Sequence, residues 1–209
     1  MHFNALIFDF DGTIADTLGE GMRIYNLLAK EHGFRELEKD ELRELRTLDM
    51  KGLFAHLKIP KRRVPLLLNK GRRLLKNKIR SLPLIDGMEK TLPLLRERAA
   101  CFGILTSNDS ENVEAFLESH RIRDLFTFIS ATGQLTGKSK HLRAIARTFS
   151  LSPPEMLYVG DELRDIRAAR KAKIASAAVT WGLNSENSLA AENPRFLVRQ
   201  PAELLEITA

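Results

Sequence analysis

Apolar positions along the chain follow two rhythms. Short, mainly apolar runs cover Asn4–Phe8, Ala100–Leu105, Met156–Val159 and Ile174–Thr180, with a weaker one at Phe126–Ser130. Runs of this length, each closed by polar or glycine-containing turns, predict strands buried on both faces. Between them, over Asp86–Ala99, Ser110–His120, Ser139–Phe149 and Glu162–Lys171, apolar residues recur every three or four positions. That spacing predicts amphipathic helices. Strands alternating with helices argue for an α/β fold with a Rossmann-like parallel sheet core flanked by helices.

Residues 16–83 break the rhythm. They hold no convincing strand, and their leucines (Leu27-Leu28, Leu42 and Leu45, Leu66-Leu67, Leu74-Leu75) recur at helical spacing. The segment reads as an all-helical domain inserted after the first strand, punctuated by Pro60, Pro65 and glycines 33, 52 and 71. Residues 1–15 and 84–209 would then form the core.

The chain of 209 residues is long enough for a core plus a smaller insert, and its 44% hydrophobic and 29% charged residues are ordinary for a globular protein. A single cysteine, Cys101, excludes an internal disulfide and suits a reducing compartment, where it reads as a small apolar strand residue. There is no basic stretch followed by a signal-length apolar run, and no apolar run approaches a membrane span. A cytoplasmic location without membrane attachment is the expectation.

In an open parallel sheet, ligands bind at the carboxyl ends of the strands, and each reactive cluster falls there. Asp9-Phe10-Asp11-Gly12-Thr13 follows the first run. Residues two apart on extended chain share a face, and two such carboxylates remain ionised together most readily around a divalent cation. Alone, this spacing equally marks a solvated strand end or a calcium loop. Thr106-Ser107-Asn108-Asp109 follows the second run and opens a helix, a place that suits a phosphoryl oxygen or a plain helix cap. Gly160-Asp161-Glu162-Leu163-Arg164-Asp165 sets two acids one helical turn apart, as for a metal ligand with a supporting partner, or for an acid-rich helix start. A lysine at position 138 or 140 opens the helix before that strand.

Taken together and in order, these clusters resemble the four motifs of the haloacid dehalogenase superfamily, across almost the whole chain. Asp9–Thr13 resembles the first, Thr106 the second, Lys138 the third and Gly160-Asp161 with Asp165 the fourth. The helical insertion resembles the cap of the phosphoglycolate phosphatase and β-phosphoglucomutase branch, as does the stretch Leu157–Arg170. The third motif departs from the common Lys-Pro: here the chain reads Gly137-Lys138-Ser139-Lys140. Counting back from Gly160-Asp161 favours Lys138, with Lys140 as the alternative.

The resemblance implies a Mg²⁺-dependent phosphomonoester hydrolase. Asp9 would attack phosphorus to give an aspartyl-phosphate, and Asp11 would serve as acid and then base. Thr106, Lys138 and the amides near Ser107 and Asn108 would bind the phosphoryl group. Asp9, the Asp11 carbonyl and Asp161 would hold Mg²⁺, with Asp165 acting behind them. The implied partner is a small anionic phosphorylated substrate, with 2-phosphoglycolate the candidate the branch suggests. The implied assembly is a monomer or homodimer, with hinges at Ala15–Thr17 and Pro83–Gly87. Asp11 argues against dehalogenase and phosphonatase branches, which do without it, whereas a sugar phosphomutase would share the same residues.

Charge adds one further reading. The net +6 is concentrated in residues 16–85, which hold 17 Lys/Arg against 9 Asp/Glu, and residues 58–80 hold ten basic residues and no acid. A solvated face, electrostatic steering of an anionic substrate and a basic binding module all fit such a patch. The near absence of aromatics argues against nucleic acid, and a complete catalytic set argues for an enzyme. Arg43, Arg46 and Lys51 are candidates to meet the leaving group. Thr180–Asn184 follows the last strand and borders the site, with Trp181 read as a packing residue.

Overall fold

The structure, a computed structural model, describes residues 3–38, 40–132 and 137–209. Strand β1 (Ala5–Phe8) is followed by helices α1 (Leu18–His32), α2 (Leu42–Leu45), α3 (Met50–His56) and α4 (Val64–Lys76), with no strand between them among the described residues. Then come α5 (Met88–Arg96), β2 (Cys101–Thr106), α6 (Ser110–Ser119), β3 (Phe128–Ala131), α7 (Lys138–Thr148), β4 (Met156–Gly160), α8 (Leu163–Ala172) and β5 (Ala175–Val179). The chain closes with α9 (Glu186–Ala191), β6 (Phe196–Val198) and α10 (Glu203–Ile207).

The six strands form one parallel sheet in the order β3-β2-β1-β4-β5-β6. Alternation along β1 feeds two cores, as the period of a strand requires. Leu6 and Phe8 pack on the face covered by Leu92 and Leu95 of α5 and Val113 and Phe116 of α6. Ala5 and Ile7 pack on the opposite face, against Leu142 and Ile145 of α7 and Ala169 of α8. Every residue of β1, β2 and β4 is buried, which is why those strands read as unbroken apolar runs.

The crossovers leave β1 in opposite directions toward β2 and β4, so the crevice at its carboxyl end is the switch point where such sheets bind ligands. Phe8 is in register with Ile104 of β2 and Val159 of β4. Thr106, Asp9 and Asp161 therefore emerge at nearly the same height. The two passages between the sheet and the inserted helices run side by side. Ala15 bridges Leu84, the Asp16 amide donates to the Pro83 carbonyl at 3.0 Å, and the Ile85 amide to the Ile14 carbonyl at 2.9 Å.

Candidate active site

Four buried charged side chains converge where β1 and β4 end. Lys138, at the start of α7 and 3% exposed, places Nζ 2.6 Å from Asp9 Oδ2 and 2.7 Å from Asp165 Oδ1. The Tyr158 hydroxyl, from the middle of β4, lies within hydrogen-bond distance of both Asp165 Oδ1 (3.2 Å) and the Leu105 carbonyl (3.1 Å). The other Asp165 oxygen accepts the Glu162 amide at 3.2 Å, closing the start of α8. Lys140, two residues along α7, is exposed.

Asp161 is fixed by three donors from two segments. Its Oδ1 accepts the Thr13 hydroxyl at 2.8 Å, its Oδ2 the Leu183 amide at 2.7 Å, and its carbonyl the Asn184 amide at 3.2 Å. Glycine is required around it: a Cβ on Gly182 would overlap its carboxylate, and so would one on Gly12, whose φ of +72° is itself a glycine conformation. A Cβ on Gly160 would fall 2.6 Å from Asp165 Oδ2.

Asp11 stands beside this group, with its carboxylate turned to Asn108, whose Nδ2 lies 3.1 Å from both oxygens. The Asn108 carbonyl oxygen accepts from the Asp109 amide and the Asn112 side chain, so the amide group cannot rotate freely. The Asn108 backbone amide donates to Thr106 Oγ1 at 3.0 Å. In this arrangement the Asn108 side chain serves Asp11 and its backbone amide serves Thr106. Ser107 Oγ accepts from Arg164 at 3.1 Å.

Burial dominates the electrostatics. It pushes Asp9 up to about 7 against the pull of Lys138, and Asp161 well above the usual carboxylate range. Asp11 is also raised by burial, with the Asn108 bonds opposing. Burial works on Asp165 in the same sense, but Lys138 and Arg164 together outweigh it and hold that carboxylate low. Lys138 is pulled down by burial, yet Asp165 and Asp9 more than compensate and keep it charged.

A divalent cation fits this donor set. Carboxylate oxygens of Asp9, Asp161 and Asp165 lie within 4.8 Å of one another. Asp9 Oδ2 is buried without a hydrogen bond of normal geometry, Lys138 being its ion-pair neighbour. With Asp165 committed to Lys138 and Tyr158, Asp9 and Asp161 are the carboxylates with room for a metal. Residue 11 would contribute through its main chain, because its carboxylate faces Asn108.

Several residues that complete the site carry no motif. Asn184, 1% exposed, reaches the carbonyls of Arg46 (3.0 Å) and Leu48 (2.8 Å) from its side chain, while its oxygen accepts the Leu163 amide. Arg46 donates to the carbonyls of Leu183, Thr180 and Gly182 at 3.1, 3.2 and 2.9 Å. Arg46 therefore fastens the inserted helices to the loop behind Asp161, while Arg43 and Lys51 are exposed. Trp181 packs against the core, as its sequence context suggested, and donates to the Thr13 carbonyl at 3.2 Å.

The basic patch also finds partners. Arg72 and Lys76 at the end of α4, and Arg80 in the short turn after it, pair with Asp109, Glu111 and Glu118 at the start of α6 and along it. Three of its cations thus face acids of the sheet domain rather than an outside ligand.

A buried Asp–Lys–Asp cluster thus stands at the switch point of an α/β parallel sheet, with a second Asp two residues after the first, an arrangement suited to hydrolytic chemistry on an anionic group. A family model described as haloacid dehalogenase-like hydrolase matches residues 6–179. A phosphoglycolate phosphatase of Synechococcus elongatus is 34% identical over 202 residues, spanning 97% of this chain and 95% of its own. One from Xanthomonas campestris is 28% identical over 216 residues, spanning 98% and 96%. A haloacid dehalogenase-like family hydrolase from Streptococcus pneumoniae has the same fold, with a TM-score of 0.84 over 99% of each chain at 22% identity. The chain belongs to the haloacid dehalogenase-like hydrolase family, and within it to the phosphatases. No helix among the described residues is long and apolar enough to cross a membrane.

Proposed function

We propose that the chain is a Mg²⁺-dependent phosphomonoesterase working through an aspartyl-phosphate on Asp9, with residues 1–15 and 84–209 as catalytic core and 16–83 as cap. The observation that carries this reading is Asp9 itself: a buried carboxylate at the switch point whose Oδ2 lacks a proper hydrogen bond and lies beside Lys138. Such an oxygen is poised to attack, because little solvation must be stripped from it.

In the first half-reaction Asp9 Oδ2 bonds to phosphorus as the bond to the ester oxygen breaks. Asp11 gives its proton to the departing alcohol, and burial favours the protonated form it needs. In the second, water attacks the phosphorus of the phosphoaspartate, Asp11 takes its proton, and the Asp9 carboxylate is regenerated with release of phosphate. Lys138 faces the equatorial oxygens and offsets their charge, held in place by Asp165. Thr106, with the amides of the Ser107–Asn108 turn, borders the phosphoryl position from the end of β2. Mg²⁺, held by Asp9, Asp161 and the Asp11 carbonyl, would neutralise phosphoryl charge and align the group for in-line displacement.

The relatives' names make 2-phosphoglycolate the reference substrate. The test is phosphate release from a panel of monoesters, with Mg²⁺ or with chelator, by wild type and Asp9→Asn. Metal-dependent release that disappears in Asp9→Asn is the expected result. No release from any ester by folded protein would overturn the proposal and favour a phosphomutase.

A further inference from the structure

The leaving alcohol of any ester held at Asp9 must sit next to Asp11, and there the structure has a cavity of about 340 Å³. It begins at Asp11 and Asn108 and runs into the inserted helices, at the lower end of the ~300–1,000 Å³ typical of small-molecule sites. Its wall is apolar, with Met22 and Tyr25 from α1, Leu42 from α2, and Met50, Leu53 and Phe54 from α3.

Three arginines reach this cavity, and each is already engaged. Arg46 donates to three carbonyls of the loop behind Asp161. Arg72 pairs with Asp109 at 3.0 Å. Arg164 grips Glu162 through two bonds of 2.8 and 2.5 Å and also reaches Ser107. The remaining charges on the wall, Asp11 and Glu162, are acidic. A carboxylate on the leaving group would lose its water among leucine, methionine and phenylalanine side chains and face anions without a ready cation. A two-carbon alcohol would also leave most of the apolar wall uncovered.

We infer that the substrate is the monophosphate ester of an uncharged, mainly apolar alcohol, larger than glycolate, whose body fills the space among α1, α2 and α3. This inference rests on the phosphatase reading and specifies its substrate class. Hydrophobic contact supplies recognition, and Asp11 at the mouth of the cavity meets the one polar atom of the alcohol, the ester oxygen.

Straight-chain alkyl phosphates test it, because leaving-group basicity is nearly constant along the series. Wild type with Mg²⁺ is assayed on ethyl, butyl and hexyl phosphate, on 2-phosphoglycolate and on a chromogenic aryl phosphate. Burial of each added methylene raises kcat/KM about fourfold, so butyl phosphate outruns ethyl by about fifteenfold, and both butyl and hexyl phosphate outrun 2-phosphoglycolate. Met22→Lys, which puts a cation on the wall away from the reacting atoms, lowers the hexyl rate and raises that of 2-phosphoglycolate; should it fail to fold, the wild-type series decides alone. A flat or falling alkyl series, or 2-phosphoglycolate as the best ester, overturns the inference and leaves a phosphatase. Silence with every ester removes the phosphatase reading and this one with it.

Discussion

Replacing Lys138 by methionine keeps most of the side-chain length and the helix propensity of α7 while deleting the charge. In the native protein the ammonium lies 2.6 Å from Asp9 and 2.7 Å from Asp165, and all three side chains are within 2% of complete burial. Lys138→Met therefore leaves two buried carboxylates without the cation they share. Removing one member of such a group costs about 3–5 kcal/mol. At roughly 2–4 °C per kcal/mol for a chain of this size, the melting temperature falls by roughly 6–20 °C. The loss also has a pH signature. Without the lysine, both carboxylates titrate higher in the folded state than they do beside it, so the folded variant binds more protons than folded wild type. Its deficit against wild type therefore grows as pH rises from about 5 to 8 and shrinks as protons take the place of the ammonium. Urea unfolding in chelator across that range measures the deficit directly. Lys140→Met, at the exposed alternative position, stays within about 0.5 kcal/mol of wild type. A Lys138→Met deficit under about 1 kcal/mol, or one that does not change with pH, refutes the reasoning.

Burial raises Asp9 to about 7 and Asp161 well above the carboxylate range. Both contribute stability to the metal-free protein that is fully present below their unfolded values and is lost as pH rises through the folded ones. The shift in melting temperature on adding Mg²⁺ should accordingly be larger at pH 8 than at pH 5.5; equal shifts would argue that the metal does not bind these acids. Gly182→Ala forces a methyl group onto Asp161 and should raise the Mg²⁺ concentration for half-maximal activity about tenfold or more, which a metal titration checks. The pairs Arg72–Asp109, Lys76–Glu111 and Arg80–Glu118 are partly or fully in solvent and are screened by salt. Deuterium uptake along α4 should rise with sodium chloride, and a charge-reversed triple variant of the three acids should show the raised uptake at low salt.

The parts of the fold legible beforehand were those where one force dominates. Strands β1, β2 and β4 are buried on both faces, so they are almost wholly apolar, Thr106 and Tyr158 being the polar groups that the site itself uses, and helices α5 to α8 show one clean apolar stripe each. Strand β6 was missed because it is a three-residue edge strand flanked by Arg195 and Arg199, and α9 and α10 because six and five residues are too few to show a period. In the site, Asp9, Asp11, Asp161 and Asp165 stood out because acid pairs, each with a structural reading of its own, recurred after apolar runs in one order with Thr106 and Lys138 between them. Asn184 gave no such signal: an asparagine after a strand looks like any turn residue until its three bonds are seen. Arg164 carried no reading of its own in the sequence, and only the fold reveals its bonds to Glu162 and Ser107. The cavity was invisible for another reason, since its wall is gathered from four helices whose inward faces look in sequence like any small core.

Asn184 joins two things usually described apart. Its backbone amide bonds the Asp161 carbonyl, its side chain holds the carbonyls of Arg46 and Leu48, and Arg46 in turn caps the loop that supplies the Leu183 amide to Asp161. Lifting the inserted helices would break the bonds made to and by residues 46 and 48 and leave the loop that orients Asp161 with less support. Closure and ion capture would then be coupled equilibria with a single interaction free energy, and thermodynamic reciprocity would require that whatever factor closure lends to ion affinity, the ion lends to closure. On the proposed reading the ion would be held most tightly while an ester is enclosed and most loosely when product departs, a rhythm of gripping and easing at Asp161.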